Sequence, residues 1–134
     1  MSRFQFHPGL PALLLAATVG WLQPTAVNAQ EISSPFHGGA VPSGTVKHER
    51  DETRHVLVLS SDFSIHEEPP DPHWRVIDSN GNVFLLDKLK VQGRVNSRIT
   101  LPSYITSVAK VEMWCAFAEI VLGEAEFAHP VVLK

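Results

Sequence analysis

"HWRVIDSNGNVFLLD", residues 73–87, holds two apolar segments on either side of Asp78-Ser79-Asn80-Gly81-Asn82. Asn80-Gly81 suits the positive φ of a tight turn, so the stretch predicts a β-hairpin. Just before it, "EEPPDP", residues 67–72, is a rigid break that no helix could cross. Downstream, "QGRVNSRITLP", residues 92–102, alternates. Val95, Ser97, Ile99 and Leu101 fall on one face, and Arg94, Asn96, Arg98 and Thr100 on the other, the period of a half-buried strand. "VAKVEMWC", residues 108–115, behaves likewise, with Ala109, Val111, Met113 and Cys115 opposite Lys110, Glu112 and Trp114. "AFAEIVLGEAEFA", residues 116–128, continues as a strand, with a bulge or turn expected at Gly123.

Upstream the pattern persists. "HVLVLS" and "DFSIH" are β-prone pieces joined by a bend at Ser61-Asp62, and Gly44-Thr45-Val46 begins another strand. "HERDETRH", residues 48–55, is a charge run expected as a solvated hairpin loop, and residues 30–43 form an extended lead-in rich in Ser, Pro and Gly. Short strands punctuated by turn signals point to an all-β domain, an antiparallel sandwich or a barrel.

The first 29 residues read as a secretory signal peptide. Arg3 supplies the positive start, Leu10 to Leu22 the apolar run, and Val27-Asn28-Ala29 the small residues before cleavage. Pro11 and Gly20 interrupt a run shorter than the ~20 residues that span a bilayer, so an uncleaved anchor is the lesser alternative. The expected product is one domain over residues 30–134, periplasmic or secreted, without a stable membrane span. It carries ten basic against fourteen acidic residues, a net charge of −4, which argues against nucleic acid as a partner.

The motifs of hydrolases, zinc proteases, phosphate-binding loops and dithiol redox proteins are absent from the sequence. Glu67, Glu68 and Asp71 read as solvated loop acids. What remains is Cys115, the single cysteine, which has no partner in the chain for a disulfide. Alternation turns it inward beside Met113 and Val111, where it serves either as a small buried hydrophobe or as a redox-active or ligating sulfur screened by Trp114. A reactive thiolate there calls for donors nearby, with Lys110 or a histidine as the source. One thiolate with two imidazoles would suit copper, and among the six histidines His37, His48, His55, His66, His73 and His129 the candidate ligands with Cys115 are His48 and His55, which a hairpin could set face to face.

Several segments resemble the DM-thirteen (electron-transfer DM-13) domain family, over about residues 36–127. "FHGGAVPSGTV" resembles its opening loop and first strand, "LVLSSDFSI" the next strand pair with Phe63 at the aromatic position, and "PPDPHWRVI" its Pro-Asp segment through Pro70 and Asp71. "LDKLKVQGRVNSRITLP" is similar in Leu89, Lys90, Gly93, Leu101 and Pro102. Tyr104 and "KVEMWCAFAEIVLGEAEF" are similar in the Trp114-Cys115 pair, Gly123 and Ala125. The chain departs from the pattern at Ala118, where an aromatic is usual, with Phe117 one place early, and at Pro69 or Pro70, where glycine commonly precedes the Pro-Asp pair. The resemblance implies a β-rich extracytoplasmic module whose cysteine, here Cys115 with Trp114 as its neighbour, is redox active. It further implies an arrangement with haem-binding DOMON or cytochrome b-type domains. The expected partner is a redox protein of the cell envelope, with haem or copper open as cofactor. The second reading is a non-catalytic sandwich that binds an envelope partner or ligand and keeps Cys115 buried. Either is an electron-transfer or binding module more than a stand-alone enzyme.

Overall fold

The hairpin at residues 73–87 forms as its sequence predicts, in a computed structural model that describes residues 3, 9, 16–21, 31–66, 69–92 and 94–134. The proposed signal segment with its cleavage residues Val27-Asn28-Ala29, and also Glu67, Glu68 and Gly93, lie wholly or mostly outside the described residues. Asp78 organises the turn. Its carboxylate accepts the N–H groups of Asn80 (2.9 Å) and Asn82 (2.8 Å), and Gly81 takes φ 85°.

Eight strands follow in order among the described residues: β1 (Glu31–Ile32), β2 (Val46–Asp51), β3 (Arg54–Leu59), β4 (Pro72–Ile77), β5 (Val83–Lys88), β6 (Arg98–Thr100), β7 (Ser107–Cys115) and β8 (Ile120–Val132). They form two antiparallel four-stranded sheets, β1-β2-β3-β6 and β5-β4-β7-β8. The arrangement is an open sandwich, and the barrel alternative is not adopted. No helix among the described residues is long and apolar enough to cross a membrane.

The core lies between the sheets. Trp74 of β4 is fully buried at 0 % exposure, packed with Leu57, Val76, Val111 and Met113. Burying so large a side chain contributes on the order of 2–3 kcal/mol. Its indole Nε1 meets no hydrogen-bond acceptor among the described residues.

Four local expectations are corrected. The piece "DFSIH", residues 62–66, forms no strand, only the single bridge of Ser64 to Ser43. The charge run at residues 48–55 is mostly strand, with only Glu52-Thr53 as the turn and Glu52 at φ 56°. Its charges are accommodated because alternate residues face outward and pair, Arg98 with Glu49 at 2.6 Å, Lys47 with Glu49 at 2.6 Å and Arg54 with Asp51 at 3.0 Å. The strand expected over residues 95–101 shrinks to β6. The Asn96 amide ties this segment to the chain before it, accepting the Lys90 N–H (2.7 Å) and donating to the Lys88 carbonyl (3.0 Å). A register shift in β7 between Val108 and Lys110 puts Val108, and not Ala109, in the core. The irregularity expected near Gly123 is present. Met113 opposes Gly123 and Trp114 opposes Val121, which leaves Leu122 as the extra residue.

The lead-in joins the two sheets. Ser33 donates to the Val46 carbonyl (2.8 Å), Ser34 to Glu126 (2.7 Å), His37 to Glu124 (2.9 Å) and Ala40 to Leu122 (3.1 Å). This segment covers the β8 edge, whose backbone groups would otherwise be open to pairing. The approach is close enough to require glycine. A Cβ on Gly38 would sit 2.7 Å from Cα of Gly123, and one on Gly123 would sit 2.5 Å from Cβ of Val41. Gly123→Ala is expected to lower stability by about 1–3 kcal/mol through overpacking. Gly39→Ala, whose Cβ meets nothing within 4 Å, is the control. Equal thermal unfolding of the two variants would reject the close-packing account.

Candidate functional site

β7 ends at Cys115, which pairs with Pro72 of β4 on one side and Ile120 of β8 on the other. The loop 116–119 then reverses the chain, closing with Glu119 at φ 55°. Ala116 donates to the Asp71 carbonyl at 2.9 Å, continuing the β4 side by one rung. The backbone N–H groups of Ala118, Asp71 and Phe117 lie near enough to the Cys115 sulfur to favour its charged form. Two of them lie two and three residues beyond the cysteine, the placement by which a side-chain acceptor caps a turn of chain.

Burial pushes the thiol up, and the Asp71 carboxylate adds to that push. The three N–H donors outweigh both, so Cys115 lies below the usual thiol value. Hydrogen bonds to the charged form favour the thiolate, and converging amides make a small anion nest. Cys115 is 1 % exposed, yet it lies at the rim of the sandwich under an exposed loop. It lines a cavity of about 200 Å³ with Ala40, His66, Pro69, Ala118 and Leu122. Pro69 and Pro70 also line a neighbouring cavity of about 440 Å³ that carries Lys88 and Lys90.

Asp71, placed in sequence as a solvated loop acid, instead belongs to this end of the sandwich. Its carboxylate takes Lys88 (3.2 Å) and His73 (3.1 Å), which hold it below the ordinary carboxylate value, while its N–H faces the sulfur. The other expected neighbours are elsewhere. Trp114 alternates to the opposite face of the sheet, where the Arg75 guanidinium carbon stacks 3.6 Å from its ring centre. It does not screen the sulfur. Lys110 is also on the outer face, bound to Glu124 (3.3 Å) and Glu126 (3.4 Å). The donors that sequence sought among side chains are backbone amides. A cysteine placed just before a four-residue hairpin loop is the one signal that could have found them.

The copper set does not assemble. His55 lies beside Ile105 and Leu133, at the end of the sandwich where β7 begins. Cys115 is where the nine-residue β7 finishes, roughly 25 Å away at ~3.3 Å per residue. His48 and His55 do meet, with Nε2 of the first 2.9 Å from Nδ1 of the second. The cavity at Cys115 is likewise a poor fit for haem, being smaller than the ~300 Å³ at which pockets for drug-sized ligands begin.

Behind Trp114, Glu112 is 5 % exposed and binds Arg75. Removing one partner of a buried ion pair strands the other. Glu112→Ala is expected to cost about 3 kcal/mol, read by urea unfolding, whereas a loss below about 1 kcal/mol would mean that Arg75 finds water.

The chain matches no protein-family model, no curated protein and no solved structure, so the site stands on its own geometry.

Proposed function

We propose that this protein is an exported redox module in which Cys115 alternates between a thiolate and an oxidised sulfur, exchanging electrons with a partner protein of the cell envelope. The observation that carries the reading is the placement of Cys115 at a strand end before the 116–119 loop, where the neighbouring amides of Ala118, Asp71 and Phe117 hold its pKa below the usual thiol value against the effect of burial. A thiolate is the form that attacks oxidants and disulfides, and it is favoured in such surroundings. The resemblance of the Trp114-Cys115 segment to DM-thirteen domains supports the same assignment, as does the signal-like start of the chain. A cavity of about 200 Å³ is lined by Cys115 together with His66 and Ala40, next to the sulfur.

A non-catalytic sandwich that binds an envelope ligand is the second reading, favoured by the 1 % exposure of Cys115. In that case the amides only satisfy a buried thiol.

Alkylation of the folded chain by iodoacetamide separates the two. Cys115 should react without denaturant, with a pH midpoint below the ~8.5 of a free cysteine. Stability should follow the same titration. The folded pKa is the lower one, so the contribution of Cys115 is lost as pH falls through it and fully present above the unfolded value. Cys115→Ser should lack that rise. Labelling only after unfolding, together with a Cys115→Ser variant altered in stability alone, would leave the second reading in place.

A further inference from the structure

Far from Cys115, the β2–β3 hairpin assembles a polar chain that the proposed function does not use. His48 continues the inward row of Val46, and His55 the inward row of Leu57, at the end of the sandwich. Glu31 on β1 completes it, with Oε2 3.1 Å from Nδ1 of His48. A carboxylate only accepts, so Nδ1 of His48 carries the proton, and in the neutral ring Nε2 presents a lone pair. That lone pair faces Nδ1 of His55 at 2.9 Å, with the two rings inclined by only 19°. His55 in turn lines a cavity of about 220 Å³ with Thr53, Leu101 and Ile105.

We propose that His48 and His55 are the paired ligands of a divalent transition-metal ion such as Zn²⁺ or Cu²⁺, with Glu31 as the carboxylate that orients His48. Two nitrogens at the usual 2.0–2.1 Å from a tetrahedral ion lie about 3.3 Å apart, slightly wider than the gap present. A small rotation of His55 therefore replaces the shared hydrogen bond with the ion. No proton is lost. His55 moves its own from Nδ1 to Nε2, toward the cavity, and water fills the remaining positions. A carboxylate behind a ligating histidine fixes its tautomer and raises its basicity, which is the role Glu31 takes here. Exposed Arg50, two residues along β2, opposes the ion weakly.

A second cluster, His37, Glu124 and Glu126, brings three ligand atoms within 4.8 Å of one another. There the Lys110 ammonium already occupies the carboxylates, at 3.3 and 3.4 Å, so the hairpin pair is the stronger site.

Calorimetric titration of the purified chain with ZnCl₂ tests the assignment. One ion should bind per chain and raise the unfolding temperature. His48→Gln and His55→Gln should abolish binding, and Glu31→Gln should weaken it by about 10–100-fold, the usual effect of losing such a carboxylate. His37→Ala and Cys115→Ser should bind as the unsubstituted chain does. Loss of zinc in His37→Ala, retention in His55→Gln, no effect of Glu31→Gln, or no uptake at all would each overturn the proposal. If the histidine variants fail to fold, EPR of Cu²⁺ on the unsubstituted chain decides. Two equatorial imidazole nitrogens are expected, and one or none overturns it.

Discussion

The central strand β7 is held on both edges, by β4 and by β8, and everything at the Cys115 end follows from that double pairing. Ladder bonds on both sides leave β7 no freedom to slip, because a shift of one residue would send Val111, Met113 and Cys115 to the outer face. The same shift would bring Glu112 and Trp114 into the core. On the outer face Glu112 and Trp114 grip Arg75 from two directions, by ion pairing and by stacking, so both faces of β7 enforce one register. The cysteine is thereby delivered to the strand end with its sulfur facing inward. Only at a strand end can the returning loop aim its amides back at a side chain.

The lead-in performs a second closure. Residues 33–40 bond to β2 and β8, and so bring Ala40 and the neighbouring His66 to the cavity wall next to the sulfur. The contact depends on Gly38 and Gly123 passing each other without side chains, and on the bulge at Leu122 beside them. The cavity is thus made by irregularities set into a regular sandwich, which is where strands re-aim their side chains. Its walls are mostly apolar, with His66 and Cys115 as the exceptions.

The two ends of the sandwich are chemically distinct. At one, amides converge on a thiol, and Asp71 is held by Lys88 and His73. At the other, two imidazoles share a proton under the control of Glu31. Nearly the whole length of β7 separates them.

Alternation and turn chemistry, both local properties, were legible without coordinates. Asn80-Gly81 placed the hairpin, period two placed Val111, Met113 and Cys115 inward, and the apolar run beyond the cysteine announced β8 with an irregularity at Gly123. The pairing of His48 with His55 was also within reach, since a hairpin brings such positions together. Local signals failed where long-range partners set the outcome. The charge run became strand because Arg98 and Lys47 neutralise Glu49, and the expected strand before β6 was shortened by the Asn96 amide bonding to residues 88–90. The surroundings of Cys115 were hidden for a deeper reason. Its donors are main-chain N–H groups, which every residue but proline possesses and no residue type advertises, so only the folded path of the chain could bring Asp71, Phe117 and Ala118 to one sulfur atom.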